Sequence, residues 1–215
     1  MEMILYAILF ILCYLIGSFP TAYLLVKKVM GKDIRKFETG NVGAMNTARI
    51  TGKFQYFLIV FIVDALKGVL SMYVAWLLHT QYALDYNVAF AIAAFAAVLG
   101  HCYSFYFLIK DGKFSGGKAI STMAGVLICL SLFKLFLPTL LFMGAVIFFT
   151  RNLFASQFFA AFFVPALTLV VAPQYFLLTV LCAIPVLMKQ SSRIIPFFKG
   201  EEPKLYWGKK AKSSS

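Results

Sequence analysis

Charge is what this chain has little of: 13% of its 215 residues are Asp, Glu, Lys or Arg against 62% hydrophobic, and its mean hydropathy is +0.87. A soluble domain needs a charged surface to face water, so this scarcity excludes one and marks an integral membrane protein. Cysteine is sparse too. Cys13, Cys102, Cys129 and Cys182 stand singly within or beside apolar segments, with no CxxC or His-spaced pattern. That excludes a zinc ribbon or a disulfide framework and leaves ordinary packing. The N-terminus lacks a positive n-region: MEM opens an apolar run that continues past Pro20 to Val26, which reads as a retained helix rather than a signal peptide. No internal repeat and no pair of broken helices is visible, which speaks against a transporter built on inverted repeats, although Asp64 and Lys67 are intramembrane charges.

What is present is a series of long apolar runs. A spanning helix needs roughly 20 apolar residues, and Met3 to Val26, Phe54 to Leu78 and Tyr86 to Leu108 each suffice. The run from Ala119 to Thr150 has 32 residues. As one helix it would be about 48 Å long, well beyond a hydrocarbon core of about 30 Å. Lys134 and Pro138 offer a break that gives two short helices. Leu153 to Met188 is likewise interrupted by VAPQ at 171 to 174, where Pro173 suits a connection better than a helix interior. The expectation is therefore an all-α bundle of seven transmembrane helices. It forms a single domain over residues 1–208, followed by a basic, solvated tail over 209–215.

Lys and Arg concentrate on the cytoplasmic side of membrane proteins. With seven spans, one side receives the 27–53 loop, the 109–118 loop, Arg151 and the tail after Met188, which together hold 18 of the 20 basic residues. HTQYALD at 79 to 85, on the other side, has no Lys or Arg. The N-terminus is predicted outside and the C-terminus in the cytoplasm. The net charge of +12 comes from these flanking loops, so it speaks for topology and anionic lipid headgroups rather than for nucleic acid. Helix three carries Ala93, Ala97 and the Ala96/Gly100 pair four apart, a pattern for close helix packing.

Two polar loops carry the chemistry. The first, KKVMGKDIRKFETGNVGAMNTARITGK, brings four glycines together with Asn41, Asn46 and Arg49, a composition that can form a nest for an anionic oxygen. The second, KDGKFSGGKAIST, nearly satisfies GxxxxGK[ST]. Ala119 stands where Ser or Thr should hold magnesium, and an apolar helix rather than a strand precedes it, so a nucleotide P-loop is excluded. Gly116, Gly117 and Lys118, just before a helix start, still suit a phosphate. His101 stands near the end of helix three as a hydrogen-bonded packing residue or a proton-transfer group. Asp64 and Lys67, three apart on helix two, share a face and suit a structural ion pair. Pro20 in GSFP suits a kink for packing.

These residues resemble the bacterial acyl-phosphate:glycerol-3-phosphate acyltransferases, the PlsY family, over nearly the whole chain. The first signature, GxDIRxxGSGNxGAxN with a following Arg, is matched by Gly31, Asp33, Ile34, Arg35, Gly40, Asn41, Gly43, Ala44, Asn46 and Arg49. The second, GHxFPxF leading to FKGGKxxAT, is met by Gly100, His101, Phe114, Gly116, Gly117, Lys118 and Thr122. DALKG at 64 to 68 and GEEPK ending at Lys204 also fit.

The resemblance implies transfer of an acyl group from acyl phosphate to the 1-hydroxyl of glycerol 3-phosphate in the bacterial cytoplasmic membrane. The products are lysophosphatidic acid and phosphate, and no metal or organic cofactor is implied. It assigns Thr39 and His101 to catalysis, and Asn41, Gly43, Asn46, Arg49, Gly116, Gly117 and Lys118 to substrate phosphate. Both substrates being phosphorylated, catalysis can rest on positioning and charge neutralisation.

The departures are specific. Glu38 and Thr39 replace Gly-Ser, and Met45 and Ser115 replace Thr and Lys. Gln190, Arg193 and Pro196 stand where the pattern has His, Asn and Arg, and LFASQ at 153 to 157 keeps only Ser156 of a serine-bearing stretch. Glu38 is expected to need neutralising by Arg35 or Lys36. A catalytically impaired relative that binds a phospholipid or acyl phosphate is the alternative reading.

Overall fold

The structure, a computed structural model, describes residues 1–202 and residue 204. The tail expected over 209–215 lies outside the described residues.

Eleven α-helices run through the described chain. They are α1 (Glu2–Ser18), α2 (Thr21–Met30), α3 (Ala44–Thr51), α4 (Phe54–Tyr82), α5 (Tyr86–Cys102), α6 (Phe105–Asp111), α7 (Ile120–Ser131), α8 (Leu137–Thr150), α9 (Leu153–Val171), α10 (Phe176–Met188) and α11 (Ser191–Phe198). Their ends follow from local chemistry. Asp85 and Asn152 cap α5 and α9, each side chain accepting a backbone N–H three residues on. Gly31, Gly52 and Gly112 end α2, α3 and α6 in the left-handed conformation that glycine adopts without steric cost.

The core is built around α5, which packs against α1, α4, α7 and α10. Ala89, Ala93, Ala94, Ala96 and Ala97 are fully covered. Small residues let backbones meet. A Cβ at Gly17 would strike the Ala97 backbone, and one at Gly100 would strike the Tyr14 carbonyl. In a membrane, where lipid is as apolar as the helix surface, such close contact holds helices together.

Two breaks and two additional helices differ from the sequence expectation. The apolar run from Tyr86 to Leu108 is not one helix: α5 stops at Cys102, and Ser104 donates its N–H to Ser115 O at 2.9 Å before α6 begins. The run from Ile120 to Thr150 is broken at Ser131 rather than at Lys134 or Pro138. Ser131 is extended (φ −173°, ψ 113°) and its Oγ accepts the Lys134 N–H, starting a new helical turn. A π-helical turn over Leu132–Phe136 then leads into α8, which has Pro138 near its start. The 27–53 loop contains a helix of its own, α3, and the segment after Met188 contains α11.

By length and apolarity, Glu2–Met30, Phe54–Tyr82, Ile120–Thr150 and Leu153–Val171 can each cross a membrane. α10 with its preceding turn and α11, bent by 71°, would form a fifth span if taken as one. Tyr86–Cys102 is apolar but shorter. The chain is thus a multi-pass helical membrane protein, and helix length alone does not yield seven crossings.

Candidate functional site

Pro20 disfavours helical backbone at Phe19, which is extended (φ −60°, ψ 118°) and separates α1 from α2. The break does more than bend the chain. It turns the Phe19 carbonyl toward α4, where Lys67 Nζ donates to it at 2.5 Å, and it places Thr21 Oγ1 2.9 Å from Asp64 Oδ1. Lys67 also pairs with Asp64 at 2.5 Å, and both are buried. His101 Nδ1 lies 4.0 Å from the same carboxylate and 3.1 Å from Thr122 Oγ1. This cluster joins α2, α4, α5 and α7 into one body.

Above it lies the Gly116–Gly117 loop. The glycines were expected to let backbone approach a ligand; what they approach is the protein. A Cβ on Gly116 would strike the carbonyls of His101 and Cys102, and one on Gly117 would strike the His101 imidazole and the Val42 carbonyl. The Gly117 N–H donates to His101 O at 3.0 Å, and the Gly43 N–H to Asn41 O at 3.1 Å. Neither amide is open to a phosphate in this conformation. The loop is pressed onto the end of α5 and the first polar loop, and so carries Lys118 to a fixed place.

That place is a cleft of about 30 Å³ lined by Thr39, Asn41, Asn46, Arg49, Lys118, Gln157 and Arg193, with Phe154 at its wall. Arg49 sits on the same face of α3 as Met45, one turn away, and both line the cleft. Asn46 holds the first loop in shape from within. Its Nδ2 donates to Asn41 O at 2.9 Å, with Ile34 O and Phe37 O at 3.4 Å, while its Oδ1 accepts the Thr39 N–H at 3.4 Å. The two polar loops are tied together by Arg35, whose guanidinium meets Asp33 and Asp111, each at 2.6 Å. Arg35 is thereby committed to these two carboxylates.

Lys118 Nζ and Arg193 Cζ each lie 5.4 Å from the Phe154 ring centroid, within cation–π range. Burial pushes the Lys118 ammonium down to about 7, aided by the Arg193 and Arg49 charges and opposed by Glu202. An amine so placed gains its proton back when an anion arrives.

Sequence reasoning placed Thr39, Asn41, Asn46, Arg49 and Lys118 in the site, and the structure brings these five together. His101, Gly43, Gly116 and Gly117 do not line the cleft. His101 lies beneath it, beside Asp64 and Lys67. Gln157, Phe154 and Arg193 were missed. Gln157 had a signal, being one of the few polar side chains in the apolar α9. Arg193 had one as well, standing where the family pattern has Asn, but α11 follows α10 at a bend that no local pattern announces, so its reach into the cleft was not visible. Ser156, by contrast, is buried and donates to Leu153 O at 2.9 Å. Gln190 is fully buried, lies outside the cleft lining, and its amide atoms have no partner among the described residues.

A second cavity of about 130 Å³ is lined almost wholly by hydrocarbon from α7, α8, α9 and α10. An apolar void of comparable size, about 150 Å³, stays dry and takes up benzene. Gln157, Ala160, Ala161 and Val164 present a helical stripe of α9 to it, and Gln157 lines the polar cleft as well. Cleft and cavity therefore share a wall.

The family profile described as Glycerol-3-phosphate acyltransferase matches residues 7–200. Proteins named Glycerol-3-phosphate acyltransferase from Staphylococcus aureus strains Newman and JH9 are each 34% identical over 209 residues. The match covers 93% of this chain and 98% of theirs. The crystal structure of PlsY (YgiH), an integral membrane glycerol 3-phosphate acyltransferase, in its glycerol 3-phosphate form superposes with a TM-score of 0.80 at 25% identity. It covers 94% of this chain and 96% of that one. The lysphosphatidic acid form superposes with a TM-score of 0.77 at 24% identity, a likeness of fold. With the profile spanning most of the sequence and relatives aligned along nearly their whole length, the chain belongs to the glycerol-3-phosphate acyltransferase family.

Proposed function

We propose that the chain transfers an acyl group from acyl phosphate to the 1-hydroxyl of glycerol 3-phosphate, with the reacting groups in the polar cleft. The observation that carries this reading is the wall shared by two unlike spaces. A cleft lined by Arg49, Lys118 and Arg193 suits phosphate. The adjoining hydrocarbon cavity suits part of an acyl chain. Acyl phosphate is a molecule of that shape, an anionic head on an apolar tail.

Attack of the hydroxyl oxygen on the acyl carbon forms the new ester and releases phosphate. Burial holds the Lys118 ammonium down at about 7, and a bound phosphate keeps it protonated. The hydroxyl proton passes to a substrate phosphate, whose second ionisation lies near pH 6. Asn41 and the Thr39 hydroxyl supply polar contacts at the rim. His101, buried under the Gly116–Gly117 loop, acts by positioning that loop. Seven crossings require α7 and α8 to be counted separately at the Ser131 break, each shorter than a full straight span. Seven crossings with the N-terminus outside then place the cleft on the cytoplasmic side of a bacterial membrane. The impaired-relative reading is not favoured, because its relatives are named as acyltransferases and the cleft keeps Arg49 and Lys118.

The test is phosphate release from palmitoyl phosphate by the detergent-purified protein, with and without glycerol 3-phosphate. Release that depends on the acceptor and disappears in Arg49→Ala and Lys118→Ala is expected. Saturable acyl-phosphate binding without release would sink the reading.

A further inference from the structure

Arg193 takes its place in the cleft from three contacts. It sits in α11, which packs against the N-terminal turns of α9, and its guanidinium lies against the Phe154 ring that Lys118 also touches. Its Nε donates to Glu202 Oε1 at 2.6 Å and its Nη2 to Glu202 Oε2. The Glu202 side chain is only 5% exposed, against 25% for that of Arg193. The carboxylate is thus enclosed and grips one edge of a planar fork. A guanidinium has five N–H donors, and this grip leaves three of them for the cleft.

We propose that Arg193 is a third cationic ligand for substrate phosphate in this chain and that Glu202 is the residue that positions it. The inference rests on the acyltransferase reading and deepens it. Arg49, Lys118 and Arg193 line one small space. All three carry N–H donors, and phosphate has oxygens enough to meet all three. Glu202 holds the Arg193 fork in one orientation, so little rotamer freedom is lost when phosphate binds. Lys118 feels the same carboxylate, which helps it keep its proton.

The experiment compares wild type, Arg193→Ala, Arg193→Lys and Glu202→Gln in detergent. It measures kcat, KM for glycerol 3-phosphate, KM for palmitoyl phosphate, inhibition by inorganic phosphate, and thermal unfolding. Arg193→Ala is expected to raise one of the two KM values, and the inhibition constant for phosphate, by about ten- to a hundredfold. Which KM moves identifies the phosphate that Arg193 holds. Arg193→Lys should recover part of the loss because it keeps the charge, and Glu202→Gln should raise the same KM by a smaller factor. Folded Arg193→Ala protein with both KM values and phosphate inhibition unchanged would overturn the proposal. So would equal loss of melting temperature in Arg193→Ala and Glu202→Gln with no change in KM, which would make the pair structural. Absence of acceptor-dependent release in wild type itself would instead count against the acyltransferase reading on which the proposal stands.

Discussion

The two charged regions of this molecule are close neighbours, separated by the Gly116–Gly117 loop, yet they are composed differently. The Asp64–Lys67 cluster is closed. One carboxylate meets one ammonium, Thr21 donates to the same carboxylate, and the freed Phe19 carbonyl takes another ammonium proton. The cleft is open in its charge, with cations in excess: Arg49, Lys118 and Arg193 line it, and the Glu202 carboxylate pairs with Arg193. A balanced group of buried charges needs nothing from outside and holds helices in register. A cleft with cations in excess suits an anion from outside.

Breaking the closed region should give the largest effect. Removing one partner of a buried pair leaves an uncompensated charge, at a cost of about 3–5 kcal/mol. Asp64→Ala is therefore expected to lower the unfolding temperature in detergent sharply, whatever the assay for activity shows. Asp64→Leu combined with Lys67→Met, which removes both charges, should recover most of that loss. If the double variant is as unstable as the single one, the cluster is not held by charge compensation.

Breaking the open region should leave the fold and remove the function. Arg49→Ala or Lys118→Ala is expected to lower kcat/KM for acyl transfer by about a hundred- to a thousandfold, the range found when one preorganised group facing developing charge is deleted. The unfolding temperature should fall less than in Asp64→Ala, since the substituted side chain lines a cleft rather than the buried ion-pair cluster. A cleft variant that loses its fold together with its activity would erase the contrast between the two regions.

Lys118 sharpens the contrast through pH. Its folded pKa, about 7, lies below its ordinary value of 10.5. A depressed lysine carries its burial cost in full below pH 7, where it is charged in both folded and unfolded states. That cost is relieved as pH rises from 7 toward 10.5, so this group makes the free protein more stable with rising pH. Phosphate binding has the opposite dependence, because it requires the proton back. Affinity for inorganic phosphate should fall by up to tenfold per pH unit above about 7. It is measured as inhibition of acyl transfer, and Lys118→Arg, which stays charged, should flatten that limb. An equal alkaline limb in both proteins would assign it to another group.

How far these regions were legible in the sequence depended on how local their causes are. Asp64 and Lys67 are one helical turn apart, so their shared face follows from spacing alone. The loop residues Asn41, Asn46, Arg49 and Lys118 stood out because polar residues are rare in this chain. Three features were not legible. Arg193 reaches the cleft only because α11 turns by 71° from its predecessor, and Gly117 looked like a phosphate contact because sequence shows small size without showing what fills the space. The break at Ser131 depends on a serine capping the next helix from within an apolar run, where Lys134 and Pro138 were the more visible interruptions. In each case the missing information was tertiary.

The smallest expected effect concerns the loops that separate and serve the two regions. Glu38 and Ala119 both have left-handed backbone, with φ of 53° and 55°, a conformation that costs an L-residue about 1–2 kcal/mol. Glu38 stands in the resembling signature where a glycine is expected, and Ala119 directly follows Lys118. Glycine at either site removes the strain but loses about 0.5–1 kcal/mol through the greater freedom of the unfolded chain. The net gain should be below about 1 kcal/mol, seen as a small rise in unfolding temperature for Glu38→Gly, which is exposed. Ala119 is buried, so Ala119→Gly also gives up a packed methyl and should come out near zero. The sharper reading is functional. Ala119 sets the direction in which the chain leaves Lys118, and a strained residue beside a binding group is retained when that direction matters. Ala119→Gly should then lower kcat/KM although its stability is unchanged, while Glu38→Gly raises stability without that loss. If both variants keep full activity, the backbone strain beside Lys118 belongs to chain reversal alone, and the cleft owes its geometry to the packing of Gly116 and Gly117 on α5.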